Sequence, residues 1–427
     1  MNYNIFTLGC KVNIYESNAI IDLLNHSGYQ EVSIKEKSDI SIINTCTVTN
    51  TADNKSLKAI KHVVRENSHA IIIVMGCFAQ TSLNIVKTIN GVNIIIGNKN
   101  KSKIITLIEE FRSNNKQIIM VDDINDKPFE KMMLNNFNKT RAFVKIQDGC
   151  NNYCSYCIIP YARGEVCSRN KNDILNEIVN LISSNHKEIV LTGIHTGHYG
   201  QELSSYNFAS LLKDIIKIKG LERLRISSIE INEITDDVLN VISYSDILVN
   251  HMHIPLQSGS NIILKLMNRK YNKEEFIMYI NKLKKIRPDI AITTDVIVGF
   301  PYETDELFNE SIDTIRKINF SKIHVFPYSK RKGTKAASMD NQVDETVKKK
   351  RVKILMDISK DLEINYMSRF LNEKVNFLVE KFKDGMIIGH TENYLLIKAN
   401  GNVDDLNSNV NVIINKIQYP YCLGERF

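Results

Sequence analysis

Three cysteines crowd into "DGCNNYCSYCIIP" (residues 148–160): Cys150, Cys154 and Cys157, spaced C-x3-C-x2-C. Thiolates at such spacing hold soft metals. Structural zinc prefers four protein ligands in paired knuckles, and Cys167 is the only nearby thiol to act as a fourth. Iron–sulfur clusters are also held by thiolates, although the ferredoxin run has a different spacing. With three ligands, one iron of a [4Fe–4S] cluster stays open. It can then take a small molecule, as the open position of a catalytic zinc does.

A second trio is dispersed. Cys10, Cys46 and Cys77 each follow or end a short β-rich run: "YNIFTLG", "DISIINT" and "AIIIVMG", with "VNIIIGN" next. Helical patterns near 14–26, 51–66, 79–90 and 101–113 separate these runs. Strands alternating with helices predict a parallel sheet covered on both faces. All three cysteines then lie at the carboxyl edge, where open α/β sheets bind ligands.

Residues 114–140 are polar and weakly periodic, a linker or crossing strand. A second alternating series follows: "RAFVKIQ", "EIVLTGI", "RLRISSI", "HMHIPLQ", "AITTDVIVG" and "KIHVFPY". Six β/α units suit a partial or complete barrel, whose chemistry gathers at the carboxyl ends of its strands. The C-x3-C-x2-C cluster follows the first of them. A long helix is predicted over 344–371. Beyond it "KVNFLVEKF", "GMIIGHTE", "NYLLIKA" and "NVNVIINKI" predict a small β-barrel of an oligonucleotide-binding kind. The expected organisation is thus 1–115, an open parallel α/β domain; 116–136, a linker; 137–368, a β/α barrel core; and 369–427, the small barrel.

The chain has 427 residues and a net charge of +7, which permits a nucleic-acid partner without requiring one. No run of about 18 apolar residues suggests a membrane span, and "MNYNIFTLGCKVN" has no leader character. A cytoplasmic location is expected. Eight cysteines in such a chain favour metal binding or catalysis over disulfides.

The C-x3-C-x2-C loop after the first strand of a β/α barrel resembles the radical S-adenosylmethionine (SAM) superfamily. "TLGCKVN", "NTCTVT", "MGCFAQ", "CSYCIIPYARG", "LTGIHTG", "HIPLQSGS" and "HVFPYSKRKGT" extend the likeness over nearly the whole chain. Together they resemble the methylthiotransferases, nearest the MtaB-type branch. The resemblance implies a transferase that converts N6-threonylcarbamoyladenosine at position 37 of tRNA to its 2-methylthio derivative. It implies two [4Fe–4S] clusters and two uses of SAM, one for a methyl group and one for a 5′-deoxyadenosyl radical. Cys150, Cys154 and Cys157 would hold the radical-generating cluster, and Cys10, Cys46 and Cys77 an auxiliary one with an open iron for sulfur. Tyr156 would pack on the cofactor adenine, and Thr192 and Gly193 would meet the methionine amino group through their backbone. Arg225 suits the cofactor carboxylate, and Ser227 and Glu230 suit ribose hydroxyls. The C-terminal barrel resembles the TRAM domain. Lys330, Arg331, Lys332, Lys348, Lys349, Lys350 and Arg351 are candidates for RNA phosphates. Implied partners are the tRNA anticodon stem-loop, an electron-donor protein and a sulfur donor, with no membrane. Tyr302 departs from the family's usual "GFPGET" glycine, as do Asn151 and Ile231 from their usual Asp and Pro. The alternative is a sibling acting on isopentenyladenosine or on a ribosomal-protein aspartate. A rival of another class is a non-catalytic zinc protein that binds RNA.

Overall fold

A computed structural model describes residues 1–125 and 129–427. The first six strands are β1 (Asn2–Thr7), β2 (Gln30–Glu31), β3 (Ile40–Thr45), β4 (Ile71–Gly76), β5 (Ile94–Ile96) and β6 (Ile118–Met120). They form one parallel sheet in the order β2-β1-β3-β4-β5-β6. Strands such as β3 and β4 read as unbroken apolar runs because helices cover both faces. Helices α1 (Lys11–His26), α2 (Asn50–Glu66), α3 (Cys77–Thr81), α4 (Leu83–Val86) and α5 (Ile104–Asn114) supply that cover. The predicted helix over 79–90 is instead two short ones, broken at Ser82. Within the stretch expected as linker, Ile118–Met120 pairs with β5 as the sheet's edge strand; residues 126–128 of that stretch lie outside the described residues.

Strands β7 (Arg141–Lys145), β10 (Glu188–Thr192) and β11 (Arg223–Ile226) form one parallel sheet. Between them the short pair β8 (Gln147–Asp148) and β9 (Cys167–Ser168) frames the cysteine loop and α6 (Ile159–Arg163). Strands β12 (His251–His253), β13 (Ala291–Val298) and β14 (Lys322–Pro327) form a second parallel sheet. A bridge from Leu224 to Leu248 joins the two into a six-stranded partial barrel. Helix α1 packs against β7. The cores of the first sheet's α1 face and of the barrel merge into one cluster, from Tyr3 and Leu24 to Phe276 and Leu355.

The long helix Glu345–Ser368 lies along β14 and leads into five strands, β15 (Lys374–Lys383), β16 (Met386–Thr391), β17 (Leu396–Asn400), β18 (Asn409–Gln418) and β19 (Tyr421–Arg426). These close into a barrel in the order β15-β16-β17-β19-β18. Its own core holds Phe377, Val379, Ile397, Val412 and the buried thiol of Cys422. β19 escaped the sequence pattern because Gly424 interrupts a short run. Among the described residues no helix is long and apolar enough to cross a membrane.

Candidate functional site

The strand order of the first sheet reverses between β1 and β3, and a reversal of this kind opens a crevice at the carboxyl ends of the strands. Cys10 stands there as the N-cap of α1, and Cys46 directly follows β3. Cys77 opens α3 at the end of neighbouring β4. Gly9 makes the close approach possible. Its φ is +102°, and a Cβ there would lie 2.8 Å from the Cys46 sulfur. Arg163 Nε donates to Cys77 Sγ at 3.3 Å. The rest of the guanidinium binds Asn13 Oδ1 (2.7 Å), Glu16 and Asp148.

The loop trio is also equipped with donors. Arg269 Nη1 donates to Cys154 Sγ at 3.3 Å, and the Ile159 backbone N–H to Cys157 Sγ at 3.4 Å. His195 Nδ1 lies 3.5 Å from Cys150 Sγ. Donors to the sulfurs tune an iron–sulfur cluster, so both trios fit such a group by donor set and surroundings. Burial pushes Cys46 up to about 11 and Cys157 up to about 12. A metal bound there would therefore displace thiol protons. Gly149 fixes the loop's entry, since its φ is +72° and a Cβ would lie 1.7 Å from the Glu165 carbonyl oxygen.

A chamber of about 810 Å³ fills the interior of the partial barrel. Gly9, Cys10 and Lys11 wall it from the first sheet, and Tyr394 from the C-terminal barrel. Of the residues expected to hold the cofactor, Thr192, Gly193, Arg225 and Ser227 line it. Arg225 is buried, with Nε on Glu188 at 2.6 Å and its plane over the Tyr394 ring. Tyr156 and Glu230 lie outside this wall. Tyr156 packs edge-on to Phe300 at 6.4 Å, and Glu230 pairs with Arg269 at 2.8 Å, so both sit near the loop cysteines. Burial, then Arg225 and Arg141, lowers Lys11 to about 8.

Sequence reasoning missed five residues here. Arg163 and Arg269 reach sulfurs from 86 and 115 residues away in the chain. His195 touches Glu233, and the His198 ring lies tilted against the His195 ring with their centroids 3.6 Å apart. Burial opposes the charge of His195, but Cys150 and Glu233 raise it to about 10. The lysine–arginine runs need a correction as phosphate contacts. Arg331 is buried against Asp53 (2.5 Å) and Thr47, and Arg351 against Glu303 and Asp305. Lys348 is buried with its ammonium on Glu345. Lys330, Lys332, Lys349 and Lys350 remain exposed.

Comparison with known proteins gives concordant matches. Residues 2–97 match the family described as "Uncharacterized protein family UPF0004", and residues 144–315 match the radical SAM superfamily. The threonylcarbamoyladenosine tRNA methylthiotransferase MtaB of Bacillus subtilis is 45% identical over 98% of this chain and 95% of its own. MtaB of Aquifex aeolicus is 36% identical over 92% and 96%. The tRNA-2-methylthio-N(6)-dimethylallyladenosine synthase of Clostridium tetani is 38% identical over 96% and 93%. Among solved structures, the radical SAM methyltransferase TsrM of Kitasatospora setae shares the fold, with a TM-score of 0.57 at 12% identity over 76% and 74% of the two chains.

Proposed function

The chain belongs to the radical SAM methylthiotransferase family, and we propose that it converts N6-threonylcarbamoyladenosine at position 37 of tRNA to the 2-methylthio derivative using two [4Fe–4S] clusters. It is a radical SAM enzyme, and its family binds a [4Fe–4S] cluster and SAM. The observation that carries the two-cluster reading is the placement of two donor-equipped cysteine trios in one fold, with Cys10 opening directly on the chamber.

Cys150, Cys154 and Cys157 would hold the cluster that, with SAM, supplies reductive carbon–sulfur cleavage and a hydrogen-abstracting radical. Cys10, Cys46 and Cys77 would hold the one from which sulfur is delivered. The chain's own residues bind and orient. Arg269 and the Ile159 N–H donate hydrogen bonds to the sulfurs of Cys154 and Cys157. Backbone groups of Thr192 and Gly193 receive the methionine amino group, and Nη1 of Arg225 its carboxylate. Ser227 and Glu230 take the ribose hydroxyls, and Tyr156 packs by the adenine. Tyr394 and the barrel wall exclude water from the chamber. The C-terminal barrel and the exposed lysines 330, 332, 349 and 350 meet the anticodon stem-loop in the cytoplasm. An electron-donor protein and a sulfur donor complete the cycle.

Nucleoside analysis of tRNA from a strain lacking this gene tests the reading. Loss of 2-methylthio-N6-threonylcarbamoyladenosine with accumulation of its unthiolated precursor is expected. Persistence of the methylthio nucleoside without any paralogue sinks it, and loss of a methylthio-isopentenyl nucleoside instead assigns the sibling reaction.

A further inference from the structure

The chamber carries unbalanced charge. Lys11, Arg141, Arg225 and Lys322 line it, whereas Asp295 is the sole carboxylate among its lining residues, and Asp295 faces His253 at 3.2 Å. Three of the four cations have carboxylate partners just outside the wall: Arg141 with Glu380, Arg225 with Glu188, and Lys322 with Glu363. Lys11 makes no ion pair or hydrogen bond among the described residues; Arg225 and Arg141 oppose its charge, and Asp295, already facing His253, favours it from beyond contact distance. A second group is left open beside it. Arg225 is 2% exposed, and its Nη1 is buried without a hydrogen-bond partner. Cations held in a low-dielectric cavity against like charges mark a place for an anion.

We propose that Lys11 pairs with the carboxylate of the threonylcarbamoyl group on the substrate adenine, and that this pairing decides which N6-substituted adenosine the enzyme accepts. The inference rests on the reaction proposed above. That reaction brings two carboxylates into one chamber, the methionine's and the threonyl group's. Arg225 Nη1 suits the first, which leaves Lys11 for the second. Position supports the division. In adenine, C2 and the carbon bearing N6 flank the same ring nitrogen. With C2 turned to the sulfur-delivering trio, the N6 substituent lies within a side chain's reach of it. Lys11 immediately follows Cys10, a member of that trio, and shares the wall with it. A dimethylallyl group in the same place would leave the lysine buried against hydrocarbon. A site built for a charged partner rejects an analogue that lacks it far more strongly than an apolar pocket rejects a missing methylene.

The test uses the reconstituted holoenzyme and anticodon stem-loops bearing N6-threonylcarbamoyladenosine as the free acid or as its methyl ester. Both RNAs keep the same backbone, so phosphate contacts and their salt dependence cancel in the comparison. The unsubstituted enzyme is expected to bind the acid about tenfold or more tightly than the ester, a difference of about 1.4 kcal/mol. In Lys11→Met the two affinities converge to within about twofold, and Lys11→Arg retains much of the preference. Equal affinities in the unsubstituted enzyme overturn the proposal without recourse to any variant. An undiminished preference in Lys11→Met overturns it as well. Tight, acid-selective binding with no methylthio product would remove the proposed reaction and leave the subsite standing. Methylthiolation of acid and ester with equal kcat/KM would do the reverse.

Discussion

Each cysteine trio is served by one buried arginine, Arg163 at Cys77 and Arg269 at Cys154. A guanidinium keeps its charge at any working pH and donates along a fixed fork, so each of these two sulfurs has a charge-assisted donor in place. The two trios have separate donors and separate loops, and their losses should separate too. Cys46 is 6% exposed, and Ser56 hydrogen-bonds its backbone at both N–H and carbonyl. Cys46→Ser keeps the volume and removes one of the three thiols proposed to hold the auxiliary cluster. Anaerobically purified enzyme is then expected to carry about four irons per chain in place of about eight. 5′-Deoxyadenosine formation should continue while the methylthio nucleoside disappears. Iron assay and mass spectrometry of the products check this, and simultaneous loss of 5′-deoxyadenosine would mean that the trios do not divide the work.

The elements place these residues by strand ends and turns, and one turn breaks a local rule. Tyr302, between β13 and the helix Asp305–Ile318, has φ +68°, with its N–H on the Asn341 carbonyl. A left-handed conformation costs a residue with a side chain about 1–2 kcal/mol. The turn therefore keeps the geometry that glycine would favour despite the tyrosine, whose side chain stays partly exposed. Tyr302→Gly is expected to stabilise the fold by about 1 kcal/mol and to raise Tm by about 1 °C. Calorimetry showing no rise would mean that the ring's packing outweighs the backbone strain. The strands, and the cysteines at their ends, were legible because periodicity and the next residue or two are local signals. Arg163, Arg269 and the His195–Glu233 contact were not, because each acts on a partner made near only by folding. The basic runs misled for the same reason. "KKKR" looks like one charged face until Glu303 and Asp305, from the turn after β13, pair with Arg351.

At the scale of the whole molecule, one ion network ties the first sheet to the barrel. Glu16 of α1 accepts from Lys145 of β7 (2.8 Å), from Arg163 of α6 (2.8 Å) and from Lys101 before α5 (2.7 Å). Asp148 of β8 accepts from Lys145 and Arg163. Three cations thus face two carboxylates, and the guanidinium that carries the surplus also donates to Cys77. Burial alone would raise Glu16, but Arg163, Lys101 and Lys145 hold it well below the usual carboxylate range. Removing one member of a buried network leaves uncompensated charge and costs about 3–5 kcal/mol. Glu16→Gln leaves Asp148 alone against three cations on both sides of the domain junction. The two domains, whose apolar cores are continuous, are expected to unfold together in the unsubstituted enzyme. In Glu16→Gln the first transition should fall by about 5–10 °C and split from the second as the first sheet releases the barrel. Anaerobic scanning calorimetry reads both effects. A single transition at the original temperature would show that apolar contact alone joins the domains, and that the buried charges serve the cysteines rather than the junction.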